Sequence, residues 1–443
     1  MSAKNRHLLK FFDENQAFMD EQVAHGIEAN RKGNASVQFV DAQGNPVTDV
    51  HVELRQQTHD FRFGANIFML DELETEEKND QYKQAFANLF NQATLPFFWS
   101  DLEPIQGQPR YAKDSPKLYR RPSTDLCVEF CEEHGIEPKM HCLNYGMWTP
   151  LWVPQDVQGT KRCLEKHMAE LGQRYADHIP AIEVTNETLW VENWDATSGL
   201  NTLFFHEPDY VEWSFEHARK YFPCNELIIN EAPPRIWLDG FKYNRSPYYM
   251  LIERALSKGA PIDTIGMQFQ AGGESSPTLF DPVHIYQVLD QYAKLNKSIQ
   301  ISEVTIPNVT PDQDGEELQA ELIENLYKVW FSHPAMSAII YWNVADGYAH
   351  GATPGDMNTA ENRYRGGLLN FDMSEKPAYK VLKKLIHETW KTNLSLDSGN
   401  TSKVNMRGFF GVYNVTATAN GKTVETQVHL IKGAANTFKI VIK

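Results

Sequence analysis

Eight short runs of β-branched and aromatic residues alternate with longer amphipathic stretches between residues 61 and 390, and this alternation limits the possible folds more than any other feature. The runs are FRFGANIF (61–68), QATLPFFW (92–99), EPKMHCLN (137–144), AIEVTNE (181–187), ELIINE (226–231), IDTIGMQF (262–269), IQISEVT (299–305) and AIIYWNV (338–344). The stretches between them, such as DYVEWSFEHARKYF and EELQAELIENLYKVWF, repeat apolar residues at the spacing of helices with one buried face. Repeated strand-helix units predict an α/β fold, a closed (β/α)₈ TIM barrel, with a doubly wound open sheet as the alternative.

The two flanks of this region have a different pattern. Residues 35–58 hold two alternating runs joined by Gly44-Asn45-Pro46, and residues 409–443 hold about three more, with Asn420-Gly421 as a hairpin signal. Neither flank would bury much surface alone, so we expect both to pair into one small discontinuous β-sandwich. The predicted organisation is a helical lead-in over 1–34, a sandwich over 35–60 and 391–443, and a barrel over 61–390.

Composition narrows the possible partners. The 443 residues are 42% hydrophobic, which allows a substantial core, and 58 acidic against 42 basic residues give a net charge of −16. This charge would repel nucleic acid and anionic bilayers. No window approaches the roughly 18 to 20 apolar residues of a membrane span, and the first residues lack the apolar stretch of a signal peptide. We expect no nucleic-acid or membrane partner and a cytoplasmic protein, or a secreted or periplasmic one if a leader has been removed.

The cysteine and histidine patterns do not indicate a metal site. The five cysteines are odd in number and lack CxxC spacing, so the sequence predicts neither a disulfide framework nor structural zinc. The strand ends carry carboxylates and amides without the histidine cluster that transition metals usually need. We therefore expect no metal and no other cofactor.

Polar residues finish several of the predicted strands. In a closed barrel the active site lies at the carboxyl ends of the strands, and a carboxylate there is costly to desolvate without a partner. Two carboxylates facing one cavity can divide the roles of acid and nucleophile, because each charge raises the pKa of the other. This is glycosidase chemistry, retaining at a separation of about 5 to 5.5 Å and inverting at a wider one. The strand-end residues are Asn186-Glu187, Asn230-Glu231, Gln268, Gln270, Glu303 and Trp342.

In their order along the chain, these motifs resemble glycoside hydrolase family 10, the retaining endo-xylanase family of (β/α)₈ barrels. Each segment is unspecific alone, whereas their joint order over most of residues 61–390 is specific. The similar segments are FFWSDLEPIQGQPRY, MHCLNYGMWTPLWV, IEVTNE, DYVEWSFEHARKYFPCNELIINEA, IDTIGMQFQ, IQISEVTI and IIYWNVADGYAHG with GGLLNFDMSEKPAY.

The resemblance implies a role for each matching residue. Glu187 would be the general acid/base and Glu303 the nucleophile, in agreement with the pairing of strand-end carboxylates. Asn186 would hydrogen-bond the 2-hydroxyl of the reacting sugar, Gln268 would support the nucleophile, and Trp342 would form an apolar floor under the sugar ring. The remaining substrate-binding candidates are Tyr145, Asn230, Gln270, His350 and His141, the last of which could instead brace the barrel.

The sequence departs from the family at positions that bind substrate. Thr94, Leu95 and Phe98 stand where the family places a Glu, an Asn and a Lys that bind the neighbouring xylose. Tyr145-Gly146 replaces a Trp-His pair, Gln270 replaces a His that touches the nucleophile, and His350 aligns with a late aromatic residue. The loss of these polar contacts predicts an oligosaccharide or polysaccharide substrate other than plain xylan. The aromatic residues expected at the rim as apolar platforms are Tyr145, Trp148, Trp152, Trp190 and Trp194.

The predicted function is therefore a retaining glycoside hydrolase that cleaves β-linked glycosides by double displacement. The alternatives are an endo-1,4-β-xylanase acting on xylan or xylo-oligosaccharides, a non-catalytic carbohydrate-binding barrel and a metal-dependent barrel enzyme.

Overall fold

The structure is a computed structural model that describes residues 6–233, 236–237, 245–272 and 277–443. Residues 1–5 of the predicted helical lead-in lie outside these ranges. None of the helices within the described ranges combines the length and the apolar composition that crossing a membrane requires.

The strands and helices are numbered in chain order. The strands are β1 (Lys32–Val40), β2 (His51–Gln56), β3 (Arg62–Asn66), β4 (Gln92–Pro96), β5 (Glu137–Asn144), β6 (Ala181–Asn186), β7 (Glu226–Glu231), β8 (Thr264–Gln270), β9 (Ser298–Thr305), β10 (Met336–Tyr341), β11 (Asn393–Asp397), β12 (Lys403–Phe409), β13 (Gly411–Ala419), β14 (Lys422–Leu430) and β15 (Thr437–Val441). The α-helices are α1 (Lys10–Glu14), α2 (Gln16–Phe18), α3 (Ala24–Arg31), α4 (Glu76–Ala87), α5 (Trp99–Leu102), α6 (Thr124–His134), α7 (Val157–Tyr175), α8 (Val191–Ser198), α9 (Tyr210–Tyr221), α10 (Pro247–Ser257), α11 (Pro282–Ala293), α12 (Gln313–Ser332) and α13 (Pro377–Lys384).

Strands β3 to β10 form a closed parallel barrel in which each strand pairs with the next along the chain and β10 closes against β3. All residues of β4 and of β6 are buried, as expected for parallel strands covered by helices on the outside and by neighbouring strands within. The predicted (β/α)₈ barrel is confirmed, and the doubly wound open sheet is wrong.

The helices that cover the barrel begin and end where the sequence supplies caps. The two amphipathic stretches quoted above become α9 and α12. Asp312 caps α12 by accepting from the N–H of Gly315, and α6 ends at Gly135, whose φ of 63° is the left-handed conformation that suits glycine. The buried faces of these helices join the strands in one continuous core.

The flanks form the predicted β-sandwich. One sheet has the order β12-β1-β15 and the other β11-β2-β13-β14, so strands from before the barrel lie between strands from after it. A separate core that includes Val37, Leu54 and Tyr413 fills the space between the sheets. Asn420 and Gly421 both have positive φ and join β13 to β14 in a two-residue hairpin. The sequence pattern missed two short strands. β11 alternates between exposed and half-buried residues, and most of β12 alternates between exposed and buried residues.

Candidate active site

A cavity of about 240 Å³ lies at the carboxyl ends of the barrel strands, and both predicted catalytic glutamates, Glu187 and Glu303, line it. Active sites of (β/α)₈ barrels occur at this end. A larger cavity of about 680 Å³ lies at the amino ends, beside Arg62, Ser298 and Met336, and its described lining holds none of the strand-end candidates. The smaller cavity is therefore the candidate site. Its described lining is Phe68, Phe98, Arg120, Arg121, His141, Tyr145, Met147, Trp148, Asn186, Glu187, Trp194, Gln270, Glu303, Trp342, His350 and Glu361.

Glu187 follows β6 directly and has a left-handed backbone, with φ 52° and ψ 44°. This conformation is costly for a residue other than glycine and persists only where the surroundings enforce it. The N–H of Glu187 donates to the carbonyl of Asn230 at 3.1 Å. Its carboxylate accepts from the Tyr145 hydroxyl at 2.6 Å and from the Gln268 amide at 2.8 Å. Three neighbouring segments of the barrel thus fix the position of this carboxyl group.

Glu303 lies within β9, just beyond a register shift that sets it opposite Gln268 on β8. Such irregularities re-aim side chains near active sites. Its Oε1 accepts from the Asn230 amide at 3.1 Å, and its Oε2 accepts from the Gln270 amide at 2.7 Å. Both carboxylate oxygens therefore face N–H groups, which can donate to an anion but cannot accept the proton of a neutral carboxylic acid.

The pKa values of both glutamates are raised. Burial raises the pKa of Glu303 well above its usual range, and the charges of Glu187 and Glu183 raise it further. Burial also raises the pKa of Glu187, against the hydrogen bonds from Tyr145 and Gln268 that lower it. The pair titrates together and keeps one proton to a higher pH than an isolated carboxyl group. Because the Tyr145 hydroxyl can accept as well as donate, Glu187 accommodates this proton, whereas the amide donors favour ionised Glu303.

Asn230 connects the polar groups behind the cavity. Its Nδ2 lies 3.1 Å from Glu303 Oε1, 2.8 Å from Asn186 Oδ1 and 3.2 Å from Glu183 Oε1. Its Oδ1 accepts from the hydroxyl of Ser302. Asn230 is fully buried and lies outside the described lining, and its contacts position the carboxylates.

A buried ion cluster lies one layer deeper in the barrel. Glu183 accepts from Lys139 Nζ at 3.1 Å and lies 2.7 Å from His141 Nδ1. Burial alone would raise the pKa of Glu183, but His141 and Lys139 outweigh it and lower this pKa to about 2. Sequence analysis did not single out Lys139 and Glu183, although a charged residue inside each of two apolar runs was the available signal.

Most of the predicted substrate-binding residues line the cavity, whereas Gln268, like Asn230, lies outside its described lining. Trp342 and His141 line it with their ring centres 5.4 Å apart, and His350 packs edge-on against Trp148. Gln268 is 2% exposed and its amide goes to Glu187 and not to Glu303, the residue it was expected to support.

Some of the predicted rim aromatic residues line the cavity and others do not, and Glu231, the acidic residue that ends β7, lies outside its described lining. Tyr145, Trp148 and Trp194 line the cavity, whereas Trp152 and Trp190 lie outside its described lining. The indole N–H of Trp152 donates to the carbonyl of Glu103 at 2.9 Å. Glu231 accepts from the N–H of Leu189 and of Ala232 at 2.9 Å each, so it anchors the loop after β6.

The lining includes residues that sequence analysis missed. Arg120 and Arg121 come from the irregular segment between α5 and α6, where no periodicity marks a functional position. Glu361 lies in a short 3₁₀ turn and accepts from Asn343 at 2.8 Å. Phe68 lies just past β3, and its ring centre is 5.3 Å from that of Trp342.

Within the described ranges, His141, Cys142 and Glu183 form a group whose possible ligand atoms lie within 4.8 Å of one another. Burial raises the pKa of the Cys142 thiol well above its usual range, which disfavours the thiolate that a metal requires. Glu183 also holds the ammonium of Lys139, which a cation would have to displace. These donors do not fit a metal centre.

A closed (β/α)₈ barrel with two buried glutamates on one strand-end cavity defines a barrel of the glycoside hydrolase type. The model of the family described as glycosyl hydrolase family 10 matches residues 56–385, and the chain belongs to this family. The resemblance inferred from the order of the motifs is confirmed.

The chain is similar to proteins whose names indicate different roles, an anti-sigma factor and a xylanase. The anti-sigma-I factor RsgI6 of Acetivibrio thermocellus is 24% identical over 411 residues, which cover 91% of this chain and 47% of that protein. Endo-1,4-beta-xylanase 2 of Arabidopsis thaliana is 24% identical over 418 residues, which cover 91% of this chain and 34% of that protein. The chain thus spans less than half the length of either relative.

Solved structures show the same fold. The GH10 protein of Paenibacillus barcinonensis superposes with a TM-score of 0.58 at 20% identity, covering 74% of this chain and 95% of that chain. Native xylanase 10B of Thermotoga maritima gives a TM-score of 0.57 at 20% identity, covering 74% of this chain and 96% of that chain.

Proposed function

We propose that the barrel hydrolyses β-linked glycosides with retention of anomeric configuration, with Glu187 as general acid/base and Glu303 as nucleophile. The observation that carries this proposal is the unequal environment of two buried glutamates on one cavity. Amide N–H groups face both oxygens of Glu303, whereas Glu187 shares a hydrogen bond with the hydroxyl of Tyr145. This difference supports one ionised and one protonated carboxyl group, which double displacement requires.

In the first step Glu303 attacks the anomeric carbon and forms a covalent glycosyl ester. Glu187 gives its proton to the glycosidic oxygen, and the aglycone leaves as an alcohol. The carboxylate left on Glu187 is then stabilised by hydrogen bonds from Tyr145 and Gln268.

In the second step Glu187 accepts a proton from water while the water oxygen attacks the anomeric carbon and Glu303 departs as a carboxylate. The product keeps its original configuration and Glu187 is protonated again. Because Asn230 donates to Oδ1 of Asn186, the Nδ2 of Asn186 is the group available to the sugar 2-hydroxyl. Trp342, which is 8% exposed, supplies the apolar floor under the ring.

For the substrate we propose a β-linked oligosaccharide or polysaccharide other than plain xylan. Thr94 and Leu95 are fully buried, and Phe98 presents an aromatic face, so these positions offer the neighbouring sugar no polar side chain. The alternative substrate is plain xylan, which the names of the xylanase relatives favour. Turnover of plain xylo-oligosaccharides at a rate no lower than that of any other glycan would decide for this alternative.

Proton NMR of the first product released from a panel of aryl β-glycosides tests the mechanism. We expect unchanged configuration, and an inverted product would refute the role of Glu303. In Glu303→Ala the rate should fall by several orders of magnitude, with partial rescue by azide as a substitute nucleophile. A variant that retained most of its activity would exclude this assignment.

A barrel that binds carbohydrate without cleaving it is the second candidate, favoured by a relative that is named an anti-sigma factor. Glycan binding without turnover, unchanged when Glu187 and Glu303 are replaced by Gln, would support this candidate. Turnover that disappears in the same variants would exclude it.

A further inference from the structure

Arg120 lines the catalytic cavity without a hydrogen-bond partner for part of its guanidinium group. The residue is 3% exposed, its Nη1 donates to the carbonyl of Tyr348, and its Nε has no partner among the described residues. Within the same described ranges it forms no ion pair with any carboxylate. A buried donor left unpaired is unfavourable, and it is rarely retained unless a ligand or water satisfies it.

The neighbouring Arg121 differs from Arg120 in the partners of its guanidinium group. Its Nε donates to Asp101 at 2.6 Å and its Nη1 donates to the carbonyl of Arg120 at 3.0 Å. Its guanidinium carbon also lies 3.9 Å from the ring centre of Phe98 and 4.9 Å from that of Trp148. The Nε of Arg121 therefore has a partner in the protein itself, whereas the Nε of Arg120 has none among the described residues.

The backbone conformation of Arg120 is also energetically unfavourable. Its φ of 62° is left-handed, which only the surrounding structure can enforce on a residue other than glycine. The guanidinium lies 5.5 Å from the ring centre of Phe68, so aromatic packing holds it against the cavity wall.

Arginine keeps its proton in proteins, so both side chains carry a positive charge. Burial lowers the pKa of Arg120, against the attraction of Glu361, and burial lowers the pKa of Arg121 to about 10. Glu361 also lines the cavity, but its Oε2 accepts from Asn343 and its charge acts on Arg120 only from beyond ion-pair distance. Arg120 thus brings a buried, unpaired N–H and a positive charge to the wall of the cavity.

Resting on the proposed hydrolase function, we propose that Arg120 binds an anionic substituent, a carboxylate or a sulfate ester, on a sugar next to the one that reacts. A compact oxyanion offers the oxygen acceptors that a planar guanidinium recognises, and it neutralises a charge that the fold has buried without an ion-pair partner. The substrate class is then an acidic β-linked glycan. An acidic substrate also accounts for the composition of the cavity wall. Phe98, Arg120 and Arg121 line it, whereas the family pattern described above has polar side chains that bind a second, neutral sugar.

Binding can be measured separately from turnover with the inactive variant Glu303→Gln. The probes are undecorated xylo-oligosaccharides, the same oligosaccharides with a glucuronic acid branch, the same oligosaccharides with a sulfate ester, and matched neutral and acidic β-glucans. Calorimetry should give a dissociation constant about 10- to 100-fold lower for one acidic series than for its neutral counterpart. The series that gains affinity identifies the anion as carboxylate or sulfate.

Variants of Arg120 in the same background complete the test. Arg120→Gln should abolish the preference for the acidic series, and Arg120→Lys, which keeps the charge and the apolar stem, should restore part of it. Arg363→Gln removes an exposed arginine outside the cavity lining and should leave the preference unchanged.

Equal affinity for neutral and acidic glycans, or a preference that persists in Arg120→Gln, would overturn the anionic subsite. If the unmodified enzyme cleaves neutral and acidic glycans equally well, the subsite fails and the hydrolase function stands. If it cleaves no member of the panel while Glu303→Gln still binds the acidic series through Arg120, the hydrolase function fails and the subsite stands.

Discussion

At the amino end of the barrel Arg62 bridges two carboxylates, at 2.7 Å from Glu137 and 2.5 Å from Glu226. At the carboxyl end Glu187 and Glu303 share one cavity, and neither forms an ion pair with any residue that the structure describes. Both ends place acidic groups at the ends of parallel strands. Of these described groups, only those at the amino end form ion pairs.

The pKa directions follow from this difference. Burial would lower the pKa of Arg62, but Glu226 and Glu137 outweigh it and raise this pKa, so the ionised triad is favoured. Glu303 and Glu187 instead have raised pKa values, because burial and like charge oppose ionisation. Paired charges at one end hold the strands together, whereas the two carboxyl groups at the other end are buried without an ion-pair partner among the described residues, at a cost in stability.

The largest effect should come from removing the acid at the carboxyl end. Glu187→Ala should lower kcat/KM about 10²- to 10⁴-fold for aryl glycosides with poor leaving groups, because their departure needs a proton. Activated leaving groups should be affected much less. Unfolding in urea should show no loss of stability, because the change removes one of two buried acidic groups that share a single proton. A uniform rate loss across leaving groups, or a destabilised protein, would contradict this contrast between the two ends.

The amino end should respond in the opposite way. Arg62→Met leaves Glu137 and Glu226 without their cation and should lower the free energy of unfolding by about 2 to 3 kcal/mol. This is less than for a fully buried pair, since 25% of the Arg62 side chain is exposed. The protein that remains folded should keep its kcat. Denaturant titration and steady-state kinetics on the same samples provide the measurement. A loss of kcat larger than the loss of folded protein would show that Arg62 affects catalysis as well as stability.

The barrel and the catalytic candidates could be predicted from sequence because both depend on local patterns. Apolar runs alternate with amphipathic ones, and the residue that ends a strand is visible in the chain itself, as Asn186 and Glu187 show. The sandwich was predicted in outline from its hairpin signal at Asn420-Gly421, while strand β11 alternates over only five residues, too few to be recognised.

The rest of the site depends on contacts that sequence order does not contain. Arg120 and Arg121 reach the cavity from a segment without periodicity, and their significance comes from which partners surround each guanidinium. The target of Gln268 is set by the register shift between β8 and β9, which no local pattern indicated. The supporting role of Asn230 likewise depends on four side chains from two other strands, β6 and β9.

Asn230→Ala tests the carboxyl end of the barrel through one hydrogen bond, from the Asn230 amide to Glu303. Glu303 would lose the donor to its Oε1, which would disfavour its ionised form and raise its pKa. The nucleophile must be ionised, so the acid limb of the kcat/KM profile should move to higher pH by about one unit, or 1.4 kcal/mol. Arg62→Met is the matched control, and its acid limb should stay in place. An unshifted limb in Asn230→Ala would show that this amide does not control Glu303.

The smallest effect is expected from Tyr145→Phe, which changes the other member of the pair. The Tyr145 hydroxyl stabilises ionised Glu187 and lowers its pKa, so removing the hydroxyl raises that pKa. The general acid must be protonated, and its activity is lost as pH rises through this value, so the basic limb should move to higher pH by less than about one unit. The acid limb, which reports Glu303, should move little. If both limbs moved together, Glu187 and Glu303 would have to be treated as one site with no division between acid and nucleophile.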